Sequence, residues 1–70
     1  MKLSARYCLK GKVKAIREGV VNNEVTIELA GGDTIVSIIT KNACQSLGLA
    51  VGKEAYAVIK ASSVMVGVDH

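Results

Sequence analysis

LSARYCLKGKVKA, residues 3–15, is the stretch that decides the fold of this 70-residue chain, because apolar and polar side chains alternate along it. A period of two over this length predicts a half-buried β-strand, since successive side chains of a strand point to opposite faces. Gly11 interrupts the pattern and predicts a bulge or bend of the kind that small barrels use to turn corners. The apolar side of the strand comprises Leu3, Ala5, Tyr7, Leu9, Val13 and Ala15.

The alternation resumes between residues 21 and 29, in the second predicted strand. Further strands are predicted at residues 21–29, 34–39, 54–60 and 64–68. Gly31 and Gly32 predict a hairpin turn before the third strand, because glycine accepts the positive φ of tight turns. Thr40 predicts the N-cap of a short helix that Gly48 ends. Five strands with one short helix between the third and fourth predict an all-β fold, a five-stranded OB-like Greek-key barrel.

Length and composition predict a single domain that associates with other copies of itself. Residues 1–70 leave no room for a second core, although Asp69 and His70 could be the edge of a purification tag. A chain this short buries only about 60% of the surface that its unfolded form exposes. Half of the residues are hydrophobic, and the strands around 35–39 and 56–59 are apolar on both faces. We therefore expect a homo-oligomer.

Cysteine usage and hydropathy argue against a metal centre and a membrane span. Cys8 and Cys44 lack the spacing of metal ligands, and only His70 could join them, so we expect no metal coordinated directly by side chains. The sequence has no signal peptide and no apolar run near the ~20 residues that a span requires. This predicts a cytoplasmic protein with reduced thiols and no membrane partner.

Catalysis and nucleic-acid binding are both disfavoured. The single histidine is terminal and neither cysteine has a recognisable base nearby, so the chain is predicted not to be an enzyme and to have no catalytic cofactor. The lysines at 10, 12 and 14 give part of the net charge of +3 and could follow a phosphate backbone. Single-stranded nucleic-acid sites also need aromatic stacking platforms, whereas Tyr7 and Tyr56 fall among apolar residues.

What remains is a set of small hydrogen-bond donors near strand ends. Ser4, Ala5 and Arg6 open the first strand, Thr40 lies at a strand-to-helix junction, and the residues at 60–63 link the last two strands with a cation followed by hydroxyls. A tetrahedral dianion offers only acceptors, so its ideal pocket contains only donors. Each of these residues taken alone could equally be a turn residue, a cap or a solvated charge.

Five segments taken together resemble the molbindins, small molybdate-binding proteins made of one transport-associated OB (TOBE) domain. The resemblance extends in order over essentially the whole chain, which makes it more specific than any one segment. The segments are residues 4–6, 9–13, 37–40, 46–49 and 57–66.

The resemblance implies a ligand, an assembly and a set of site residues. It implies intracellular binding of molybdate or tungstate for storage or homeostasis, in a hexamer built as a trimer of dimers with the oxyanions at subunit interfaces. One subunit would contribute Ser4, Ala5 and Arg6, and its neighbour Thr40, Lys60, Ala61 and Ser62. A second type of site near the threefold axis is assigned here, as a guess, to Gly19, Val20 and Val21.

Two departures from the molbindin pattern keep other hypotheses open. Tyr7 and Cys8 stand where Asn-Gln is expected, and Cys44 and Gln45 replace a Val-Glu pair on the short helix. An intersubunit disulfide, or cysteines introduced by design, would fit these positions. The alternatives to oxyanion binding are therefore an OB-type single-stranded nucleic-acid-binding module and an engineered scaffold assembly.

Overall fold

The computed structural model describes residues 6–69, which form one curled antiparallel sheet and one short helix. The strands lie side by side in the order β3-β2-β1-β4. In the described part of the chain, no helix has the length and hydrophobicity to cross a membrane. The elements in chain order are β1 (Tyr7–Glu18), β2 (Asn22–Leu29), β3 (Thr34–Thr40), α1 (Lys41–Ser46), β4 (Glu54–Ile59) and a single 3₁₀ turn (Ala61–Ser63).

β1 is the long strand that links the two sides of the sheet, because its two halves pair with different strands. Its first half pairs with β4, from Tyr7 opposite Ile59 to Lys12 opposite Glu54. Its second half pairs with β2 and ends with Glu18 opposite Asn23. One strand shared in this way by two neighbours lets a short sheet curl into a half-barrel.

The bulge of β1 lies at Lys14 and not at Gly11, so the predicted position was wrong. The register with β2 shifts between Val13 and Ala15, which leaves the residue between them unpaired. Gly11 serves a different purpose, because a Cβ there would lie 2.5 Å from the carbonyl oxygen of Glu28. Glycine at this position therefore allows the close approach of β1 and β2.

The turn and the helix are formed as the sequence predicted. Gly32 has a φ of 94° in the β2–β3 turn. Thr40 Oγ1 accepts a hydrogen bond from the backbone N–H of Ala43 at 3.0 Å, which is the N-cap interaction. After α1, the N–H groups of Gly48 and Leu49 donate to the carbonyls of Gln45 and Cys44, and Gly48 has a φ of 64°. This is a Schellman motif, which ends the helix where predicted.

The hydrophobic core lies in the concavity of the sheet, beneath α1. It is small, because a half-barrel encloses little volume, and Cys44 belongs to it as the predicted small buried residue. Ile16, Leu29 and Ile39 are partly buried against it. The buried residues are Val13, Val25, Ile27, Cys44 and Ala57.

The all-β fold with one short helix after the third strand is confirmed, but residues 6–69 form a four-stranded curled sheet and not the predicted five-stranded barrel. Residues 64–68, here called the C-terminal segment, are not in a strand. Its apolar residues are exposed, with Met65 at 93% and Val66 at 92%. A strand needs both a partner edge and an apolar surface to cover, and within residues 6–69 this segment pairs with no strand. The predicted first strand also shifts, since it spans Tyr7–Glu18, while residues 3–5 lie outside the described part.

Candidate functional site

Arg6 and Lys60 lie at the same end of the β1–β4 ladder. The last paired residues there are Tyr7 and Ile59, and the two cations follow immediately beyond them. Both are exposed. The ion pairs found among the described residues involve other lysines, so neither cation is neutralised by a carboxylate within residues 6–69. Ser4 and Ala5, predicted for the same site, lie outside the described residues.

The 3₁₀ turn places hydroxyl groups directly after Lys60. Its backbone hydrogen bonds join Ser63 N–H to the Lys60 carbonyl at 2.9 Å and Val64 N–H to the Ala61 carbonyl at 3.2 Å. All of its residues are exposed, and no side chain caps it. The side-chain hydrogen bonds found in the described region are made by Thr40 and Lys53, so the hydroxyl of Ser62 has no partner there. Arg6, Lys60, Ala61 and Ser62 therefore form one donor-bearing surface, here called the donor end.

Thr40 is not part of the donor end within one chain. It pairs with Asn22 at the far end of the β2–β3 ladder. The twelve residues of β1 separate that end of the sheet from Arg6. Its oxygen already accepts the capping hydrogen bond from Ala43, although its O–H is still able to donate. A contribution of Thr40 to the same oxyanion thus requires a second copy and stays a prediction.

The residues assigned to a second site lie in the β1–β2 turn, beside Thr40. Gly19 N–H donates to the Asn22 carbonyl at 2.9 Å, and the Val21 carbonyl accepts from Lys41 N–H at 3.0 Å. Val20 is 95% exposed. The side chains here are apolar and the Gly19 N–H is already used, so this turn offers few donors in one chain. The second site remains a prediction.

A polar residue that sequence reasoning missed lies beneath α1. Asn23 is 5% exposed, and its side-chain Oδ1 has no hydrogen-bond partner among the described residues. A cavity of about 480 Å³ lies beside it, with Glu18, Cys44 and Gln45 in its wall. The acceptor oxygens of Glu18 and Asn23 make this cavity unsuited to an oxyanion. The sequence could have predicted the burial of Asn23, because it lies two and four positions before Val25 and Ile27 and so shares the inward face of β2 with them.

The lysine row of β1 is neutralised by neighbouring strands. Lys10 Nζ lies 3.2 Å from Glu54 Oε2, and Lys14 Nζ lies 3.6 Å from Glu28 Oε2. Lys12 is opposite Glu28 on one side and Glu54 on the other. Carboxylates between the lysines repel a phosphate backbone, which further disfavours the nucleic-acid hypothesis.

An apolar groove separates the free edges of β3 and β4, where a closed barrel would have another strand. Its volume is about 430 Å³, and its wall is formed from Val25, Ile27, Ile39, Leu49, Tyr56 and Val58. In the order β3-β2-β1-β4, each outer strand has an edge along this groove that pairs with none of residues 6–69. The groove therefore offers backbone hydrogen-bonding groups on both sides and an apolar floor.

Comparison with known protein families and solved structures gives a consistent result. A family model described as "TOBE domain" matches residues 3–66. A "Probable molybdenum-pterin-binding protein" of Haemophilus influenzae is 55% identical over 69 residues, which cover 99% of this chain and all of that protein. "Molybdenum-pterin-binding protein 3" of Clostridium pasteurianum is 48% identical over 66 residues, or 94% of this chain and 97% of that protein.

Two solved structures extend this similarity to the fold. MopII from Clostridium pasteurianum has a TM-score of 0.89 at 45% identity, covering 96% of this chain and all of that one. The cytoplasmic molybdate-binding protein ModG, in a form with molybdate bound, has a TM-score of 0.94 at 54% identity. That match covers 99% of this chain and 49% of the ModG chain.

Proposed function

We propose a function from the family of this chain, which belongs to the molbindins, the single-TOBE-domain molybdenum-pterin-binding proteins. The proposed function is to bind molybdate or tungstate in the cytoplasm for storage or homeostasis of the ion. The observation that supports it most is the donor end, where Arg6 and Lys60 lie at the same end of the β1–β4 ladder without a carboxylate partner in the described region. Membership of a family of binding proteins also confirms the prediction that the chain is not an enzyme.

The chemistry of the donor end suits a tetrahedral dianion. Such an ion gives up its hydration and needs donors in return, which Lys60, Arg6 and the hydroxyl of Ser62 offer. Hydrogen bonds to charged groups are roughly twice as strong as neutral ones, so a few of them offset much of the desolvation. Ser4 and Ala5 complete the proposed set, together with Ala61.

One copy of the chain is not sufficient for this site, because the donor end is exposed to solvent. We propose that a neighbouring subunit encloses the ion by bringing its Thr40 to the donor end of the first chain. Ser4, Ala5 and Arg6 would then act with Lys60, Ala61 and Ser62 of their own chain. This differs from the grouping that the resemblance implies, because Thr40 and Lys60 of one chain lie at opposite ends of the sheet. The proposed assembly is a hexamer, a trimer of dimers. The second type of site, at Gly19, Val20 and Val21, would form where three such turns meet.

The C-terminal segment and the groove support an association of copies by strand exchange. The groove lies between β3, of seven residues, and β4, of six, and residues 64–68 are of comparable length. Val64, Val66 and Val68 fall on one side of an extended segment, as required to cover an apolar floor. We propose that this segment enters the groove of a second copy and becomes the fifth strand of its barrel.

Selectivity follows from the size and protonation of the ion. Sulfate has the same charge and shape as molybdate but shorter bonds, so a rigid pocket discriminates by size. Protonated phosphate brings a donor into an all-donor pocket, and one unmade hydrogen bond costs about 1–3 kcal/mol. Tungstate and molybdate are nearly equal in size, and we expect the site to accept both. The names of the relatives mention a pterin, whereas a donor set of this kind suits the inorganic ion.

Isothermal titration calorimetry tests the proposal. We expect saturable binding of molybdate and tungstate, and no binding of sulfate or phosphate at equal ionic strength. A Lys60→Ala variant should lose about tenfold to a hundredfold in affinity, since a hydrogen bond to a charged group contributes about 1.5–3 kcal/mol. Lys12→Ala is the matched control, because this exposed lysine lies away from the donor end, and its affinity should be unchanged.

Three outcomes would count against this function. Unchanged affinity in Lys60→Ala would remove Lys60 from the site. A wild-type protein that binds no molybdate, or that instead shifts a single-stranded oligonucleotide in a salt-sensitive manner, would overturn oxyanion binding altogether. A free pterin that competes with molybdate would indicate that the ligand is an organic complex of the metal.

A further inference from the structure

The 3₁₀ turn is a weakly held connection between β4 and the C-terminal segment. Two backbone hydrogen bonds maintain it, from Ser63 N–H at 2.9 Å and from Val64 N–H at 3.2 Å. Each such bond contributes only about 0.5–1.5 kcal/mol. No side chain caps the turn, and its three residues are exposed, so packing adds little. The direction in which the chain leaves β4 is therefore easily changed.

The direction of this turn decides where the C-terminal segment goes. Lys60 before the turn and Val64 after it are both extended, with ψ values of 141° and 122°. A change of backbone angles within the three intervening residues would swing the whole segment through a wide arc. Packing against the described residues offers little to oppose this, as the exposures of 92% at Val66 and 78% at Val68 indicate.

The same few residues therefore serve two purposes, since Lys60 and Ser62 belong to the donor end and also form the turn that aims the segment. We propose that an oxyanion bound at the donor end fixes the conformation of this turn and so slows the withdrawal of the C-terminal segment from a partner's groove. This inference rests on the proposed function. Its consequence is kinetic, because subunits of the loaded oligomer would exchange more slowly than those of the empty one.

The size of the effect follows from linkage. If the segment leaves only when the oxyanion has left, the exchange rate falls by the factor one plus the ratio of free ligand to Kd. At free molybdate a hundred times above Kd, exchange should be about a hundredfold slower. A ligand that bound without restraining the turn would leave the rate unchanged.

Subunit exchange between ¹⁵N-labelled and unlabelled oligomers, followed by native mass spectrometry, tests the inference. Mixed species should form rapidly in sulfate buffer and about a hundredfold more slowly when molybdate is present at a hundred times its Kd. In Ser62→Ala the molybdate concentration that gives half of the slowing should rise by the same factor as the Kd measured by calorimetry. Val66→Thr, which alters only the segment, should speed exchange in both buffers and keep the ratio between them.

The two proposals fail in distinguishable ways. Molybdate that binds in calorimetry but does not slow exchange overturns the coupling and leaves oxyanion binding intact. An empty oligomer that exchanges subunits as slowly as the loaded one would also overturn the coupling and leave oxyanion binding intact. Absence of molybdate binding overturns both proposals, and so does a protein that remains a single chain at all concentrations.

Discussion

β2 and the C-terminal segment are both predicted from the sequence to be strands, and in the structure they have opposite fates. In β2, Val25 is 1% exposed and the strand has neighbours on both sides. In the C-terminal segment, Val66 is 92% exposed and pairs with no strand in the part of the chain that the structure describes. A β-prone local sequence therefore encodes the capacity to form a strand, but it does not encode which chain supplies the neighbouring edge.

The largest effect that this comparison predicts is on β2. Ile27→Ala should lower the free energy of unfolding by about 2–5 kcal/mol, because it removes buried methyl groups and leaves a cavity in a small core. Ile27 is 6% exposed and belongs to the buried cluster. Urea unfolding monitored by circular dichroism measures the change. The matched control is Val66→Ala in dilute protein, where less than about 0.5 kcal/mol is expected for a residue exposed in the single chain.

The C-terminal segment should instead control assembly. Val66→Asp would place a charge on the apolar floor of the groove, which costs at least about 2–3 kcal/mol and weakens association by about a hundredfold. Sedimentation velocity should then detect a smaller species with an unchanged β-rich circular dichroism spectrum. Val51→Asp is the control, since Val51 is exposed in a turn outside the groove. Equal masses for both variants would contradict the fifth-strand proposal.

The sequence predicted those parts of the fold that depend on neighbouring residues. Thr40 as a cap, Gly48 as a helix end and Gly32 as a turn residue are all found, because each follows from local backbone geometry. The bulge was misplaced for a local reason as well. Before Lys14 the buried side chain is that of Val13, at an odd-numbered position, and after it the more buried side chain is that of Ile16, at an even-numbered one. Because Ala15 and Ile16 are both apolar, the sequence did not reveal this change.

Non-local features were not readable from the pattern. Arg6 and Lys60 are 54 positions apart in the sequence. They lie at the same end of the sheet only because β1 and β4 pair in one particular register. Thr40 was grouped with Lys60 through the family resemblance, yet within one chain it lies at the other end of the sheet. The missing information in both cases is the strand pairing, and for Thr40 it is also the arrangement of subunits.

A smaller effect should follow from removing the helix cap. Thr40→Ala deprives Ala43 N–H of its acceptor and should cost about 0.5–2 kcal/mol in urea unfolding. Thr34→Ala, at the exposed start of β3, is the control, and it should cost less. If Thr40 also donates to an oxyanion in a second copy, molybdate should stabilise the variant less than it stabilises the wild type. Equal stabilisation by the ligand would confine Thr40 to its capping role.

Asn23 provides the finest test of how β2 differs from the C-terminal segment, because it is the one polar residue of the buried set in the described chain. Its Oδ1 has no protein partner in that region, and an unsatisfied buried acceptor costs about 1–3 kcal/mol. Asn23→Leu, which is similar in size, should therefore leave stability unchanged or raise it by up to about 1 kcal/mol. Asn22→Leu at the exposed neighbouring position should change stability by less than about 0.5 kcal/mol. A large loss confined to Asn23→Leu would mean that a buried water or a neighbouring subunit satisfies this oxygen in the assembled protein, so that even the interior of β2 depends on groups outside its own chain.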